Sequence, residues 1–218
     1  QEVFVMGCIL DHIAVAAPTL EAGAAFVTET LGVSPQAGGE HPRMGTHNLL
    51  LRLGDRVYLE VIAANPAAPA PGRPRWFALN SLPGNTVPFL AAWVARTDDI
   101  RTWAEKSPES LGPVEAMSRG TLEWLITIPE DGSLPLGTGP ALIQWQPGVH
   151  PASKLQDHGL SLVGLDIHHP DPKRVSRLLE SLALEGPLSV KPLPEGESPY
   201  LEAHIDTPRG VRVLRAAR

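Results

Sequence analysis

Residues 9–32 read ILDHIAVAAPTLEAGAAFVTETLG, and this stretch decides the fold. Its first part, residues 9–17, is rich in apolar and β-branched side chains and predicts a β-strand. Pro18 and Thr19 then open a helix, with Thr19 as the predicted N-cap. The apolar residues that follow at helical spacing are Leu20, Ala24, Val27 and Leu31. Gly32 is the residue type expected just past a helix end. The stretch therefore predicts a strand and then a helix with one apolar face against a sheet.

Short strands follow this helix, and the same order of elements recurs twice further along the chain. In the first unit, strands are predicted at 47–53 and 57–63 around the turn residues 54–56, with a weaker strand at 39–43. The second unit has strands at 89–95, 114–118, 122–128 and 141–146, and a short helix capped by Asp98 or Asp99. The third has strands at 160–168, 188–191, 200–206 and 211–214. Its helix begins with Asp171 as N-cap and Pro172 at the first helical position.

The three units together predict an α+β fold of about three repeated βαβββ units. Their approximate bounds are residues 8–80, 86–148 and 158–218. One such unit cannot bury its own sheet, so we expect paired units whose curved mixed sheets surround a concave cleft. A concave sheet face of this kind is a natural site for a small molecule.

Composition excludes several classes of protein. The 218 residues carry a net charge of −6, and arginines are scattered, so no nucleic-acid partner is predicted. There is no polybasic run and no apolar run approaching the ~20 residues that span a bilayer, so no membrane association is predicted. Cys8 is the single cysteine, which excludes an intramolecular disulfide and favours a reducing compartment. Residues 1–6 lack a secretory pattern, and we expect a cytoplasmic location.

Several short sequence motifs carry a family resemblance. They are Leu10-Asp11-His12, Ala17-Pro18-Thr19-Leu20, Gly45-Thr46-His47-Asn48, Tyr58-Leu59-Glu60-Val61-Ile62, His168-His169-Pro170-Asp171-Pro172 and Thr207-Pro208-Arg209-Gly210. In their order and spacing they resemble the glyoxalase-like branch of the vicinal oxygen chelate superfamily, over nearly the whole chain. The resemblance implies a concave sheet that binds a small molecule, often through a divalent metal. Members include lyases, ring-cleaving dioxygenases and epimerases, and relatives of the bleomycin-resistance kind sequester a drug without metal.

The resemblance also implies that His12 and Glu60 are the two metal ligands of the first unit. An imidazole and a carboxylate together suit Zn, Fe, Ni or Mn. A carboxylate within an apolar strand needs a partner, so the alternative is that His12 and Glu60 only satisfy each other. The resemblance implies two more ligands from a second unit. Aligned helix starts place Ala92 and Gln144 there, which leaves Gln144 as the candidate third ligand.

Four further residues are candidates for substrate binding. His47 and Asn48 are neighbours in one strand, so only one of them can face the cleft, and parity does not say which. Arg43 could hold a substrate carboxylate, and Trp93 could form an aromatic wall, although surface and core roles are the usual ones for these residue types. The words Tyr200-Leu201-Glu202 and Tyr58-Leu59-Glu60 match. Glu202, however, precedes a hairpin turn where Glu60 follows one, so we do not expect Glu202 to take the role of Glu60.

Two functional hypotheses follow. The first is a metal-assisted lyase, isomerase or dioxygenase acting on an oxygen-rich or carbonyl substrate, in which the metal polarises a substrate oxygen. Glu60 could instead act as the base that moves a proton next to a carbonyl. The alternative is a metal-free ligand-binding or drug-sequestering protein. Because three units are an odd number, one unit could also pair with its copy in a homodimer.

Overall fold

The computed structural model describes residues 7–148 and 150–215. The first unit has the predicted elements, although its weaker strand, predicted at 39–43, lies at Gln36–His41. Thr19 caps the helix, with its Oγ1 accepting a hydrogen bond from the Ala22 amide at 3.1 Å. Gly32 ends the helix at a φ of 76°, a left-handed conformation that favours glycine. The elements of this unit are β1 (Ile9–Ala16), α1 (Leu20–Leu31), β2 (Gln36–His41), β3 (Thr46–Gly54) and β4 (Val57–Ala64).

The second unit repeats this order. Of the two predicted caps, Asp99 is the one used, and its Oδ1 accepts a hydrogen bond from the Thr102 amide at 3.2 Å. The elements are β5 (Phe89–Arg96), α2 (Ile100–Lys106), β6 (Val114–Arg119), β7 (Leu122–Thr127) and β8 (Ala141–Trp145). A 3₁₀ segment, Trp76–Ser81, lies in the connection from β4 to β5, and another, Pro151–Lys154, follows β8.

The first two units join in one mixed sheet of eight strands, in the order β2-β3-β4-β1-β5-β8-β7-β6. In each half the first strand runs parallel to the last, and β1 and β5 meet antiparallel at the centre. The sheet curls until its two edges meet. Arg119 of β6 donates a hydrogen bond to Asn48 of β3, and a Cβ at Gly39 of β2 would lie 2.4 Å from Arg119 Cδ. The predicted α+β fold with curved mixed sheets is confirmed.

The third unit has the predicted elements but pairs them differently. Its strands form a separate four-stranded sheet, in which the first strand runs antiparallel to the third. Asp171 caps the helix as predicted, accepting a hydrogen bond from the Arg174 amide. The elements are β9 (Ser161–His169), α3 (Pro172–Ser181), β10 (Leu188–Pro192), β11 (Tyr200–Thr207) and β12 (Gly210–Arg215), and the strand order is β10-β9-β11-β12.

The two faces of the eight-stranded sheet bury different cores. We call the face that carries Ile13 and Val61 the outer face, and it packs against the three helices and the four-stranded sheet. The inner face carries Ala14 and Ile62 and faces the cleft. The backbone of α1 approaches β4 closely at Gly23, where an added Cβ would clash with Val61 Cγ1. None of the helices in the described residues has the length and apolar character needed to span a bilayer.

Candidate functional site

His12 of β1 and Glu60 of β4 meet on the inner face. The parallel register pairs His12 with Tyr58 and Ala14 with Glu60, which brings the two polar side chains side by side. His12 Nε2 lies 3.6 Å from Glu60 Oε2, and the two residues are only 4% and 5% exposed. The imidazole stacks on the Tyr58 ring, with centroids 4.5 Å apart and planes 12° apart. The pair is therefore held in a largely dehydrated position.

Asp11 holds His12 from behind. A β-bulge between Leu10 and His12 interrupts the alternation of β1, so that two consecutive residues can contact each other on one side. Asp11 Oδ2 lies 2.7 Å from His12 Nδ1, and Asp11 Oδ1 lies 2.7 Å from His150 Nε2. Burial by itself would raise the pKa of Asp11, but hydrogen bonds from the two histidines outweigh it and hold that pKa well below its ordinary value. Asp11 is therefore an ionised, fully buried carboxylate.

These contacts determine which ring nitrogens carry protons. His150 Nδ1 accepts a hydrogen bond from the Ala152 amide at 3.2 Å, so its proton is on Nε2 and is donated to Asp11. An ionised Asp11 can only accept, so His12 donates from Nδ1. The lone pair of a neutral His12 is then on Nε2, the atom that faces Glu60. A carboxylate behind a histidine in this way fixes its tautomer and the orientation of its ring.

Asn48 orients the Glu60 carboxylate from the other side. Its Nδ2 donates to Glu60 Oε1 at 2.7 Å, while its Oδ1 accepts from the Gly39 amide at 2.8 Å and from Arg119 Nη1 at 3.1 Å. These acceptor contacts fix which end of the amide points to Glu60. No hydrogen-bond donor lies on Glu60 Oε2 among the described residues, so this oxygen is left to accept a proton or a ligand contact.

A small cavity of about 30 Å³ lies against this pair. Its polar lining is His12, Glu60, Asn48, His41 and Arg119, and its aromatic walls include Trp76, Trp124 and Trp145. The volume is that of about one water molecule, whereas small-molecule sites occupy roughly 300–1,000 Å³. The segment Trp76–Ser81 packs over the inner face, and we call it the covering segment. A ligand of ordinary size is therefore larger than this cavity as the side chains now stand.

A second cavity, of about 520 Å³, lies at one end of strands β5, β7 and β8 and shares Trp145 with the first. His150, Arg96 and Lys154 are among the residues that line it. His12 and Glu60 do not line it. The larger cavity is thus not the one that contains the His12–Glu60 pair.

The structure brings together three of the residues predicted from the sequence, His12, Glu60 and Asn48. Of the two neighbours in β3, Asn48 is the one that faces the cleft. The side chain of His47 points to the opposite face, which also carries Leu49 and Leu51.

The other predicted residues lie outside the cleft. Arg43 is half-exposed and binds the Ala116 carbonyl and Glu115. Trp93 is in the outer-face core and donates from Nε1 to the Thr138 carbonyl at 2.8 Å. Gln144 Oε1 accepts a hydrogen bond from the Ile100 amide at 2.9 Å, at the start of α2. The structure therefore does not place Gln144 with His12 and Glu60, because alternation along β8 turns Ile143 and Trp145 inward instead.

The site also contains residues that the sequence did not indicate. Asp11 is part of the motif Leu10-Asp11-His12, but regular strand alternation alone would turn its side chain away from that of His12. His150 contacts Asp11 across 139 positions of sequence, a distance over which no spacing signal exists. Arg119 reaches the cleft because the sheet curls edge to edge. His41 is buried, and this burial lowers the pKa of its imidazole to about 4 despite the nearby Glu60.

The side chains around His12 and Glu60 do not supply the metal ligands that the resemblance implies. The inner-face side chains of β5 and β8 include Ala92, Val94, Ala141 and Ile143, all apolar. Within the described residues, His12 and Glu60 have no third His, Cys, Asp or Glu close enough to complete a group of three ligand atoms. Two ligands do not make the four-ligand site that the resemblance implies, so these residues do not fit a resident metal.

Two βαβββ halves around a buried polar pair define a small-molecule cleft of the glyoxalase type. The sequence profile of the family described as "Glyoxalase-like domain" matches residues 10–183. The chain belongs to this family, within the vicinal oxygen chelate superfamily. None of the curated proteins matches the chain significantly.

Three solved structures are similar to the chain, and one of them, with a TM-score above 0.5, shows the same fold. A hypothetical protein from Staphylococcus aureus is 15% identical, with 97% of this chain and 86% of that chain covered and a TM-score of 0.58. Methylmalonyl-CoA epimerase from Mycobacterium tuberculosis is 17% identical, with 68% and 92% covered and a TM-score of 0.42. A mutant 4-hydroxymandelate synthase from Streptomyces coelicolor is 13% identical, with 96% and 63% covered and a TM-score of 0.46. At 15% identity the first of these likenesses concerns the fold alone.

Proposed function

We propose that the cleft binds a small carbonyl or oxygen-rich substrate and catalyses proton transfer at the carbon next to its carbonyl group, as isomerases and lyases do. One observation carries the proposal. Two proton acceptors, Glu60 Oε2 and His12 Nε2, lie 3.6 Å apart at the wall of one buried cavity. A positioned acid–base pair is what such a reaction needs.

Each neighbour of the pair has a part in this step. Glu60 removes the proton, so that the C–H bond breaks and its electrons move onto the carbonyl oxygen. Arg119 lines the same cavity and supplies a cation for that oxygen. His12 accepts the proton from Glu60 or delivers it to the product, because Asp11 at 2.7 Å stabilises the imidazolium form. Asn48 keeps Glu60 Oε1 occupied and leaves Oε2 for the substrate.

The proposal is tested by exchange of carbon-bound hydrogen for deuterium in D₂O, followed by NMR on hydroxyketones, keto acids and 1,3-dicarbonyl compounds. The wild-type protein is expected to accelerate exchange in at least one compound. Glu60→Gln is expected to lose about 100-fold or more of that rate, because an amide cannot take the proton, with an unchanged melting temperature. Glu29→Gln on the exposed side of α1 is the matched control. Exchange that survives in Glu60→Gln would refute the role of Glu60.

Three tryptophan rings support a second candidate function, binding of a ligand without turnover. Trp76, Trp124 and Trp145 line the cavity beside the polar pair, and aromatic walls of this kind hold small molecules. Tryptophan fluorescence separates the two functions. A compound that changes the fluorescence of wild type and Glu60→Gln equally, and that shows no exchange with either, would favour sequestration over catalysis.

A further inference from the structure

The arrangement of His12, Tyr58 and Glu60 recurs on the four-stranded sheet. The imidazole of His168 stacks on Tyr200, with centroids 4.3 Å apart and planes 9° apart. Glu202, two residues after Tyr200, places Oε1 2.8 Å from His168 Nε2. In the cleft the corresponding values are 4.5 Å, 12° and 3.6 Å. The segments Tyr200-Leu201-Glu202 and Tyr58-Leu59-Glu60 thus share both their sequence and the contacts of their side chains with a histidine.

A different strand pairing produces this second arrangement. β9 and β11 run antiparallel, and their register pairs His168 with Tyr200 and Asp166 with Glu202. Because alternate residues of a strand share a face, all four side chains lie on one face of the sheet. The opposite face carries Leu165, Ile167 and Leu201, which are in the outer-face core. Glu202 therefore does not correspond to Glu60 in topology, but it meets a histidine in the same way.

Asp166 adds the third ligand that the cleft lacks. One potential ligand atom from each of Asp166, His168 and Glu202 lies within 4.8 Å of the other two, and among the described residues this group alone meets that criterion. The three side chains are between 10% and 13% exposed, so they are mostly dehydrated and still reachable from solvent. One histidine with two carboxylates suits a divalent transition metal, and three protein ligands leave a position open.

The contact of His168 with Glu202 indicates that a cation could be bound by both side chains. The two atoms are 2.8 Å apart, yet His168 Nε2 is buried and makes no aligned hydrogen bond. Buried polar atoms are normally satisfied. A cation that receives the lone pairs of both groups would satisfy His168 Nε2, whereas their mutual contact does not.

Two long cationic side chains now contact the carboxylates that such a cation would bind. Lys191 Nζ lies 2.8 Å from Asp166 Oδ2, and Arg215 Nε lies 3.0 Å from Glu202 Oε2. Their side chains are 49% and 53% exposed, so both can extend into water when a metal ion neutralises the carboxylates. His204 also bonds Asp166, at 2.9 Å, and orients it.

We propose that Asp166, His168 and Glu202 form a binding site for a divalent transition metal such as Zn²⁺. The site lies on the exposed face of the four-stranded sheet, apart from the cleft. Lys191 and Arg215 compete with the metal for its carboxylates. A divalent metal that binds this chain is thus expected at the third unit and not at His12 and Glu60.

Isothermal titration of the full chain with ZnCl₂ in a non-chelating buffer tests the proposal. Wild type is expected to bind about one ion. His168→Ala and Glu202→Gln are each expected to weaken binding at least about tenfold, because losing a residue that only orients a ligand already costs about 10–100-fold. Lys191→Ala is expected to tighten binding, an effect that a purely structural lysine would not have. His12→Ala is the matched control and is expected to bind as wild type does.

Co²⁺ in place of Zn²⁺ gives a second readout, because its visible spectrum responds to the ligands it acquires. The spectrum of the wild-type complex is expected to be lost in Glu202→Gln even if His168→Ala does not fold. The proposal is overturned if wild type binds no Zn²⁺, if binding persists in both Glu202→Gln and His168→Ala, or if only His12→Ala loses it. None of these results depends on whether the cleft catalyses proton transfer.

Discussion

His41 is a neutral histidine inside the cleft. It is buried beside Asn48, with its Nδ1 3.1 Å from Thr46 Oγ1 and its ring against Trp76 and Trp124. Burial disfavours the imidazolium form, and Arg119 acts in the same direction, while Glu60 opposes them. The net result is a folded-state pKa that is lower than in the unfolded chain.

This shift makes stability depend on pH. Burial, the largest cause, lowers the pKa of His41 from 6.5 to about 4. Between these values the unfolded chain binds a proton that the folded chain does not, so the free energy of unfolding must fall as the pH falls. The loss approaches about 1.4 kcal/mol per pH unit at most. His41→Gln is expected to remove this contribution, which urea unfolding from pH 7 to pH 4 measures.

The comparison is between slopes, so a uniform loss of stability in the variant does not disturb it. Wild type should lose stability more steeply than His41→Gln between pH 6.5 and pH 4, and the two slopes should agree above pH 7. Parallel curves throughout would contradict a buried, neutral His41.

At the residue scale the sequence predicts only part of the cleft. His12 and Glu60 follow from the family words, and Asn48 was one of two alternatives in its strand. Asp11 could not be predicted, because regular alternation turns it away from His12 and only a bulge brings the two together. His150 could not be predicted either, since its contact with Asp11 depends on how the loop after β8 returns across the sheet.

At the element scale, the covering segment is under backbone strain. Phe77 and Ala78 both have a φ of 55°, in the left-handed region that costs residues with a Cβ about 1–2 kcal/mol each. Phe77 and Trp76 pack on the inner face, while the Ala78 side chain is exposed. The backbone strain therefore lies in the segment that packs over the cleft.

Ala78→Gly is expected to stabilise the protein by up to about 1 kcal/mol, because glycine adopts the left-handed conformation without a Cβ penalty and no packing is lost. The matched control is Ala25→Gly, an exposed position of α1, where the same exchange should cost about 1 kcal/mol. Thermal unfolding measures both. Equal destabilisation by the two changes would show that the covering segment is not strained at Ala78.

Local signals predicted the elements better than their pairing. The caps Thr19, Asp99 and Asp171 were each indicated by residue type and position, and each is used. Hydrophobic alternation also shows which residues of β9 and β11 face the core. It does not show which strands become neighbours, because the first strand of the third unit could pair with either the last strand or the third with the same face buried.

At the scale of the whole molecule, the outer-face core joins the two sheets. Leu165, Leu201 and Leu214 of the four-stranded sheet belong to the same buried cluster as Ile13 and Val15 of β1. The backbone also connects them, since the Glu185 amide donates to the Cys8 carbonyl at 2.9 Å. We therefore expect residues 158–218, which the sequence predicts as a third unit, not to unfold separately from the other two.

The distribution of tryptophan makes this testable. All five tryptophans lie between residues 76 and 145, outside the four-stranded sheet. Leu201→Ala removes a side chain that is 2% exposed in the shared core, and such truncations cost about 2–5 kcal/mol. If both sheets unfold together, tryptophan fluorescence must report this loss in full, at the same denaturant midpoint as circular dichroism.

Val211→Ala, 53% exposed in the same sheet, should shift neither midpoint, because exposed changes stay within about 0.5 kcal/mol. A biphasic circular dichroism curve with an unshifted fluorescence midpoint in Leu201→Ala would instead mean that the four-stranded sheet unfolds on its own.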